Sequence, residues 1–140
     1  MDKLHSSQKE LVQSISYQHT LKVLKGDISV VFYDVTTIYF EADIEDEFRK
    51  TGFSKEGKHQ NPQIVLGLLV SSGGYPMAYE IFEGNKFEGH TMLPVLESFR
   101  AKYNLKQLIV VADSGLLSSD NIKDLIENEY EFILGARIKN

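Results

Sequence analysis

Two apolar runs that each stop at a lone aspartate constrain this chain more than any other feature. Val30-Val31-Phe32-Tyr33-Asp34 and Leu108-Ile109-Val110-Val111-Ala112-Asp113 are rich in β-branched and aromatic residues. Such runs read as strands buried on both faces, where an unpaired carboxylate is expensive to desolvate. Two of them in one small domain need a common reason. The economical one is that Asp34 and Asp113 meet on neighbouring strands and share a cation. Each aspartate alone also has a structural explanation, because an aspartate after a strand often starts a turn or caps the next helix. Asp113, followed by Ser114-Gly115, suits that explanation better than Asp34, after which Ile38-Tyr39-Phe40 continues as a strand-like sequence.

The chain has 140 residues, 42% hydrophobic and 25% charged, enough for one domain with a real core. It has no cysteine, which excludes disulfides and thiolate metal sites and fits a reducing, cytoplasmic setting. No apolar run approaches the ~20 residues of a membrane span, so no membrane partner is expected. The net charge of -5 argues against nonspecific nucleic-acid affinity for the domain as a whole. The charge is uneven, however. Residues 42–61 are acidic first (Asp43, Glu45, Asp46, Glu47) and basic afterwards (Arg49, Lys50, Lys55, Lys58). A polar stretch of this length is expected to be an exposed, mobile loop, and the basic half is a candidate for phosphate contacts.

Periodicity predicts a helix over residues 6–24 with Leu11, Val12 and Ile15 on its apolar stripe. A strand over 28–35 follows, which 38–41 continues or pairs with. Strands over 63–71 and 77–83 flank Ser72-Gly73-Gly74-Tyr75-Pro76, a hairpin signal. The Gly-Gly pair is no phosphate cradle, because no Lys or Ser/Thr follows at the required spacing. A helix over 90–103 starts at Thr91 as N-cap, with Pro94 in its first turn. The strand over 108–112 leads to a helix capped by Ser118, Ser119 or Asp120, with Ile122, Leu125, Ile126 and Tyr130 facing inward. A last strand covers 131–138. The order is an N-terminal helix, a three-stranded antiparallel meander, then helix-connected parallel strands. If the fourth strand pairs with the first, Asp34 and Asp113 become neighbours.

Several segments together resemble a known family. Tyr33-Asp34-Val35-Thr36-Thr37-Ile38-Tyr39-Phe40-Glu41 resembles the first catalytic block of prokaryotic insertion-sequence transposases of the DDE type. Gly52-Phe53-Ser54-Lys55-Glu56-Gly57 resembles their basic loop. Gln63-Ile64-Val65-Leu66-Gly67-Leu68-Leu69-Val70, Glu83-Gly84-Asn85 and residues 88–93 match the blocks that follow. Val110-Val111-Ala112-Asp113-Ser114-Gly115-Leu116-Leu117-Ser118 resembles the second catalytic block, and Gly135-Ala136-Arg137-Ile138-Lys139 the strand behind it. The ordered set covers residues 29–140.

The resemblance implies an α/β, ribonuclease-H-like catalytic domain over 28–140, partial at its C-terminal side, after a helical segment over 1–27. It implies DNA transposition by metal-dependent phosphoryl transfer, with Asp34 and Asp113 as catalytic residues and metal ligands. Two Mg²⁺ (or Mn²⁺) ions are implied in the complete protein. The implied partners are DNA (transposon ends and target) and, for the chain itself, a homo-oligomer. Arg49, Lys50, Lys55, Lys58, Arg137 and Lys139 are the candidate DNA contacts. The family completes its triad with a glutamate further downstream. Glu127 and Glu129 sit on the wrong element and are expected to be solvent-facing, so the isolated chain is expected to be inactive. Two other readings stand beside this one. One is a folded, non-catalytic remnant or oligomerising module. The other is a haloacid-dehalogenase-type phosphatase, which normally needs a second acid where this chain has Thr36.

Overall fold

Residues 30–39 alternate in burial along one unbroken ten-residue strand, β1 (Val30–Tyr39), in the computed structural model, which describes residues 8–42, 44–53, 57, 60–116 and 118–135. The strand therefore runs straight through Asp34 and the Thr pair. β2 (Gln63–Ser71) and β3 (Pro76–Glu83) complete an antiparallel meander, and β4 (Ile109–Ala112) and β5 (Glu131–Leu134) add parallel strands on the other side of β1. The sheet order is β3-β2-β1-β4-β5, which puts β1 in the centre. The order read from the sequence is the order observed. The last strand is seen only to Leu134; its expected continuation over 136–138 lies outside the described residues.

Three helices, α1 (Lys9–Val23), α2 (Met92–Tyr103) and α3 (Ser119–Glu127), pack on one face of this sheet. That face presents Val31 and Tyr33 of β1, Leu69 of β2 and Val110 and Ala112 of β4. They share one buried cluster with Met92, Val95, Leu96 and Phe99 of α2 and Leu125 of α3. Helix α3 is capped by Ser118, whose side chain accepts from Asn121 N. The other face carries Phe32, Asp34, Thr36 and Ile38. No described helix covers it, and Phe32 and Ile133 stand exposed at 41% and 58%. No helix among the described residues is long and apolar enough to cross a membrane.

Three expectations need correction. Leu11, Val12 and Ile15 point outward; α1 instead buries Gln13, Tyr17 and Thr20. The reason is the surface it meets. Tyr17 stacks on Tyr103 at 3.6 Å between ring centres and meets Phe99 edge-on. Gln13 Nε2 donates to Tyr79 O at the sheet edge, and Lys9 Nζ donates to Glu80 Oε1. Aromatic stacking and a strand edge that needs a donor outweigh the apolar stripe. Second, Ile126 is exposed at the outer side of α3, while Leu125 and Tyr130 are buried. Third, Thr91 precedes α2 without capping it by its side chain. Its hydroxyl instead accepts from Tyr33 Oη at 2.9 Å and donates to Glu88 O at 2.6 Å.

That Tyr33–Thr91 bond ties the centre of the sheet to the 3₁₀ turn Glu88–His90 that leads into α2. Gly67 makes it possible, because a Cβ there would overlap the Tyr33 hydroxyl. Gly67→Ala should therefore destabilise the fold by about 1–3 kcal/mol in urea denaturation, with a smaller loss in a Tyr33→Phe background that lacks the clashing oxygen. Burial pushes the Tyr33 phenol up to about 12, against the Thr91 bond that lowers it. A raised phenol contributes stability that is complete below its unfolded pKa near ~10 and is lost as pH climbs through the folded value. Tyr33→Phe should flatten that part of the alkaline stability loss between about pH 10 and 12, read by urea midpoints across pH.

Candidate active site

The two aspartates sit where β1 and β4 leave their shared ladder. The parallel register pairs Phe32 with Val111 and Tyr33 with Ala112, so Asp34 and Asp113 are the next residues on adjacent strands. Tyr33 and Ala112 are buried toward the helices. Strand alternation turns the following residue on each strand to the opposite face. Both residues are exposed, Asp34 midway along β1 and Asp113 just past the C-terminal end of β4. Asp34 and Asp113 thus follow paired residues on adjacent strands.

Asp113 serves the local structure as well. Its Oδ1 accepts from Gly115 N at 2.8 Å and Leu116 N at 3.2 Å, which folds the 3₁₀ turn Ser114–Leu116 at the strand end. Of the sequence explanations of Asp113, the turn is observed, at the end of the strand that pairs with β1. Asp34 Oδ1 accepts from Val35 N at 2.9 Å. The remaining carboxylate oxygens form a pair of hard donors, suited in kind to a divalent cation with waters or phosphate oxygens in its other positions. Among the described residues no third acid or histidine joins them in a metal-binding group. Glu127 and Glu129 are exposed at the C-terminal end of α3, as expected. A groove of about 520 Å³ lined by Glu97, Arg100, Lys106 and Tyr130 among others lies before β4 and β5, at the far end of these strands from the acids.

The described part of the stretch between β1 and β2 is more tied down than the expected mobile loop: its acids hold Arg49 and Thr51. Glu45 Oε1 accepts from Thr51 N and Thr51 Oγ1 at 2.6 and 2.7 Å. Asp46 accepts from Phe48 N, Arg49 N and Arg49 Nε. Lys50 and Gln63 exchange two backbone hydrogen bonds, and Gly84 N donates to Phe48 O. The buried Gln63 amide donates to Gly84 O at 2.6 Å. Side chains at Gly52 or Gly84 would overlap this junction. Arg49 is therefore engaged by Asp46 and stacks over Phe40. Lys50 is held by its backbone and half-buried. Lys55, Lys58, Arg137 and Lys139 lie outside the described residues. Sequence reasoning missed Gln63 as the residue that seats this segment; its only signal is a polar residue opening an otherwise apolar strand.

Two outcomes check this geometry. Asp113→Ala should cost about 1 kcal/mol of stability through loss of the turn, whereas Asp113→Asn and Asp34→Ala should cost little, measured by urea unfolding. Hydrogen bonds from Thr51 hold Glu45 below the usual carboxylate range, and those from Arg49, backbone first, do the same for Asp46. A lowered folded pKa gives stability that is present above the unfolded value and lost as pH falls through the folded one. Amide protection factors at Phe48, Arg49 and Thr51 should accordingly drop below about pH 4, before the core amides respond.

The family model of the transposase DDE domain matches residues 25–140. No curated protein matches the chain. Among solved structures, a pre-cleavage Mos1 transpososome is similar with 12% identity and a TM-score of 0.51, over 89% of this chain and 42% of that one. A Mos1 transposase paired-end complex with the left transposon end follows at 11% and 0.49, over 91% and 42%. A piggyBac transposase synaptic complex with hairpin DNA gives 14% and 0.44, over 96% and 31%. The chain thus spans less than half the length of these structures. The first likeness shows a shared fold, the ribonuclease-H-like mixed sheet expected from the element order. The dehalogenase and non-catalytic readings are not favoured.

Proposed function

Because this chain belongs to the family of transposase DDE domains, we propose that Asp34 and Asp113 form the two-aspartate part of a centre for DNA-strand phosphoryl transfer. One observation supports the proposal: the β1–β4 ladder ends at Tyr33 and Ala112, so Asp34 and Asp113 are the next residues on adjacent strands, both exposed. The family implies a divalent metal. Mg²⁺ is the ion we favour, since two carboxylates leave room for the waters and phosphate oxygens it retains. Bound there, the ion supplies electrostatic stabilisation of the charge that builds on a phosphodiester under attack.

This chain's own residues do the holding. Asp113 is held at the strand end by its turn, which leaves its second oxygen for the ion. Asp34 projects from the middle of the central strand, where its backbone pairs with Leu68 of β2. In the proposed reaction the substrate is transposon-end and target DNA in the cytoplasm. Arg49, Lys50, Lys55, Lys58, Arg137 and Lys139 are proposed to meet its phosphates. Arg49 would trade Asp46 for a phosphate, an exchange of one charge-assisted partner for another.

The chain by itself should bind Mn²⁺ weakly, because two carboxylates alone leave most coordination positions to water. Paramagnetic broadening by Mn²⁺ in NMR spectra should centre on residues 33–35 and 112–116 and vanish in Asp34→Asn and in Asp113→Asn. Broadening that ignores both substitutions would remove the proposed site. Supercoiled plasmid should stay intact with the 140-residue chain and Mg²⁺, since the described residues give a second ion no third acidic ligand. Duplex DNA binding should weaken when Arg49 and Lys50 are neutralised together, with a shallower dependence on salt and no change in sequence preference.

A further inference from the structure

We infer that the turn Glu88–His90 and the Thr91 that follows it set the position of Asp34 relative to Asp113, with Thr91 as the positioning residue. The inference rests on the reading of those two acids as a metal-holding pair. The backbone pairing of β1 with β4 ends at Tyr33 and Ala112, one residue short of each acid. Beyond that point β1 runs on as a strand to Tyr39, while the chain after β4 bends into the turn Ser114–Leu116. The β1–β4 ladder therefore does not itself fix the spacing of the acids. A pair that shares an ion needs its groups held to within about 0.5 Å, so another element has to do it.

The segment 88–91 meets both arms. Thr91, wholly buried, accepts from Tyr33 Oη at 2.9 Å and donates to Glu88 O at 2.6 Å. Tyr33 is the residue before Asp34. On the other side of that acid, Thr37 Oγ1 donates to Glu88 Oε1 at 3.4 Å, a long bond that adds less. The same turn packs beside Ser114–Leu116, which Asp113 closes through Gly115 N and Leu116 N. Leu116 is held in its own right. It is buried in one cluster with Tyr33 and Met92, and its carbonyl accepts from Asn121 Nδ2 at 2.5 Å. Thr91 thus reaches each acid through one intermediary. Its hydroxyl is engaged as acceptor and as donor, and removing it leaves the buried Tyr33 hydroxyl without its acceptor. The segment supplies no ligand to the pair; its role is to hold the two strand ends in one frame.

The test uses the 140-residue chain, first without metal. Val35 N donates to Asp34 Oδ1, and Gly115 N and Leu116 N donate to Asp113 Oδ1, so their amide-proton resonances report the two carboxylates. Thr91→Val keeps the shape and loses the hydroxyl; it should shift all three resonances together. Thr91→Ser keeps the hydroxyl and should restore them. Tyr33→Phe removes the donor alone and should give the same joint shift, which keeps the test open should Thr91→Val fail to fold. Titration with Mn²⁺, read by broadening of the same amides, should show affinity about tenfold weaker in Thr91→Val and Tyr33→Phe and close to wild type in Thr91→Ser. Shifts confined to one acid's amides would overturn the inference. So would unchanged Mn²⁺ affinity beside lowered stability, or failure of Thr91→Ser to restore either readout. A wild-type chain without Mn²⁺ broadening near Asp34 and Asp113 would instead remove the metal reading, and the metal-free shifts would then decide the inference by themselves.

Discussion

The parallel pairing of β1 with β4 is the contact on which the candidate site depends. Four register pairs, from Val30 with Ile109 to Tyr33 with Ala112, carry two distant pieces of chain to a common end point. The short ladder is held from one side only, by the helices over Val31, Tyr33, Val110 and Ala112. One-sided support has a chemical consequence. Asp34 and Asp113 are both exposed to water, with no described helix over the Asp34 face of the sheet. A site for a cation and a phosphodiester needs that access.

Tyr33 links this site to the rest of the domain. It lies one residue before Asp34 and points the opposite way, into the core, where it crosses Gly67 and bonds Thr91. The strand that presents the acid outward is thus anchored inward by its neighbour. A similar division of labour governs the segment before β2. Glu45 and Asp46 hold Thr51 and Arg49 that follow them, while Gln63 and the two glycines Gly52 and Gly84 leave room for the segment to dock against the end of β3. Arg49 is thereby neutralised by Asp46, and under the proposed function it reaches a phosphate by exchanging partners.

Where sequence reasoning succeeded and failed follows from the range of the forces involved. The strands and the hairpin were legible because β-branched runs and Gly-Gly turns encode local preference. Asp34 and Asp113 stood out in the sequence because a carboxylate ending an apolar run is costly if buried; the structure leaves both exposed. The orientation of α1 was not legible. Its stripe of Leu11, Val12 and Ile15 obeys the usual pattern, but Tyr17, Gln13 and Lys9 found better partners on a surface built by α2 and β3. Thr91 likewise carries the residue type of a cap, yet its hydroxyl went to Tyr33, a partner 58 residues away in sequence.

By itself, then, the sequence determined the order of elements and the apolar runs at which charge appears, since each rests on local propensity or on desolvation cost. Tertiary structure alone decided that Asp34 and Asp113 follow paired residues on adjacent strands, that α1 turns its apolar stripe to solvent and that Arg49 is tied to Asp46. Those outcomes depend on register and on competition between partners distant in sequence. No pattern within a single segment records which distant partner wins.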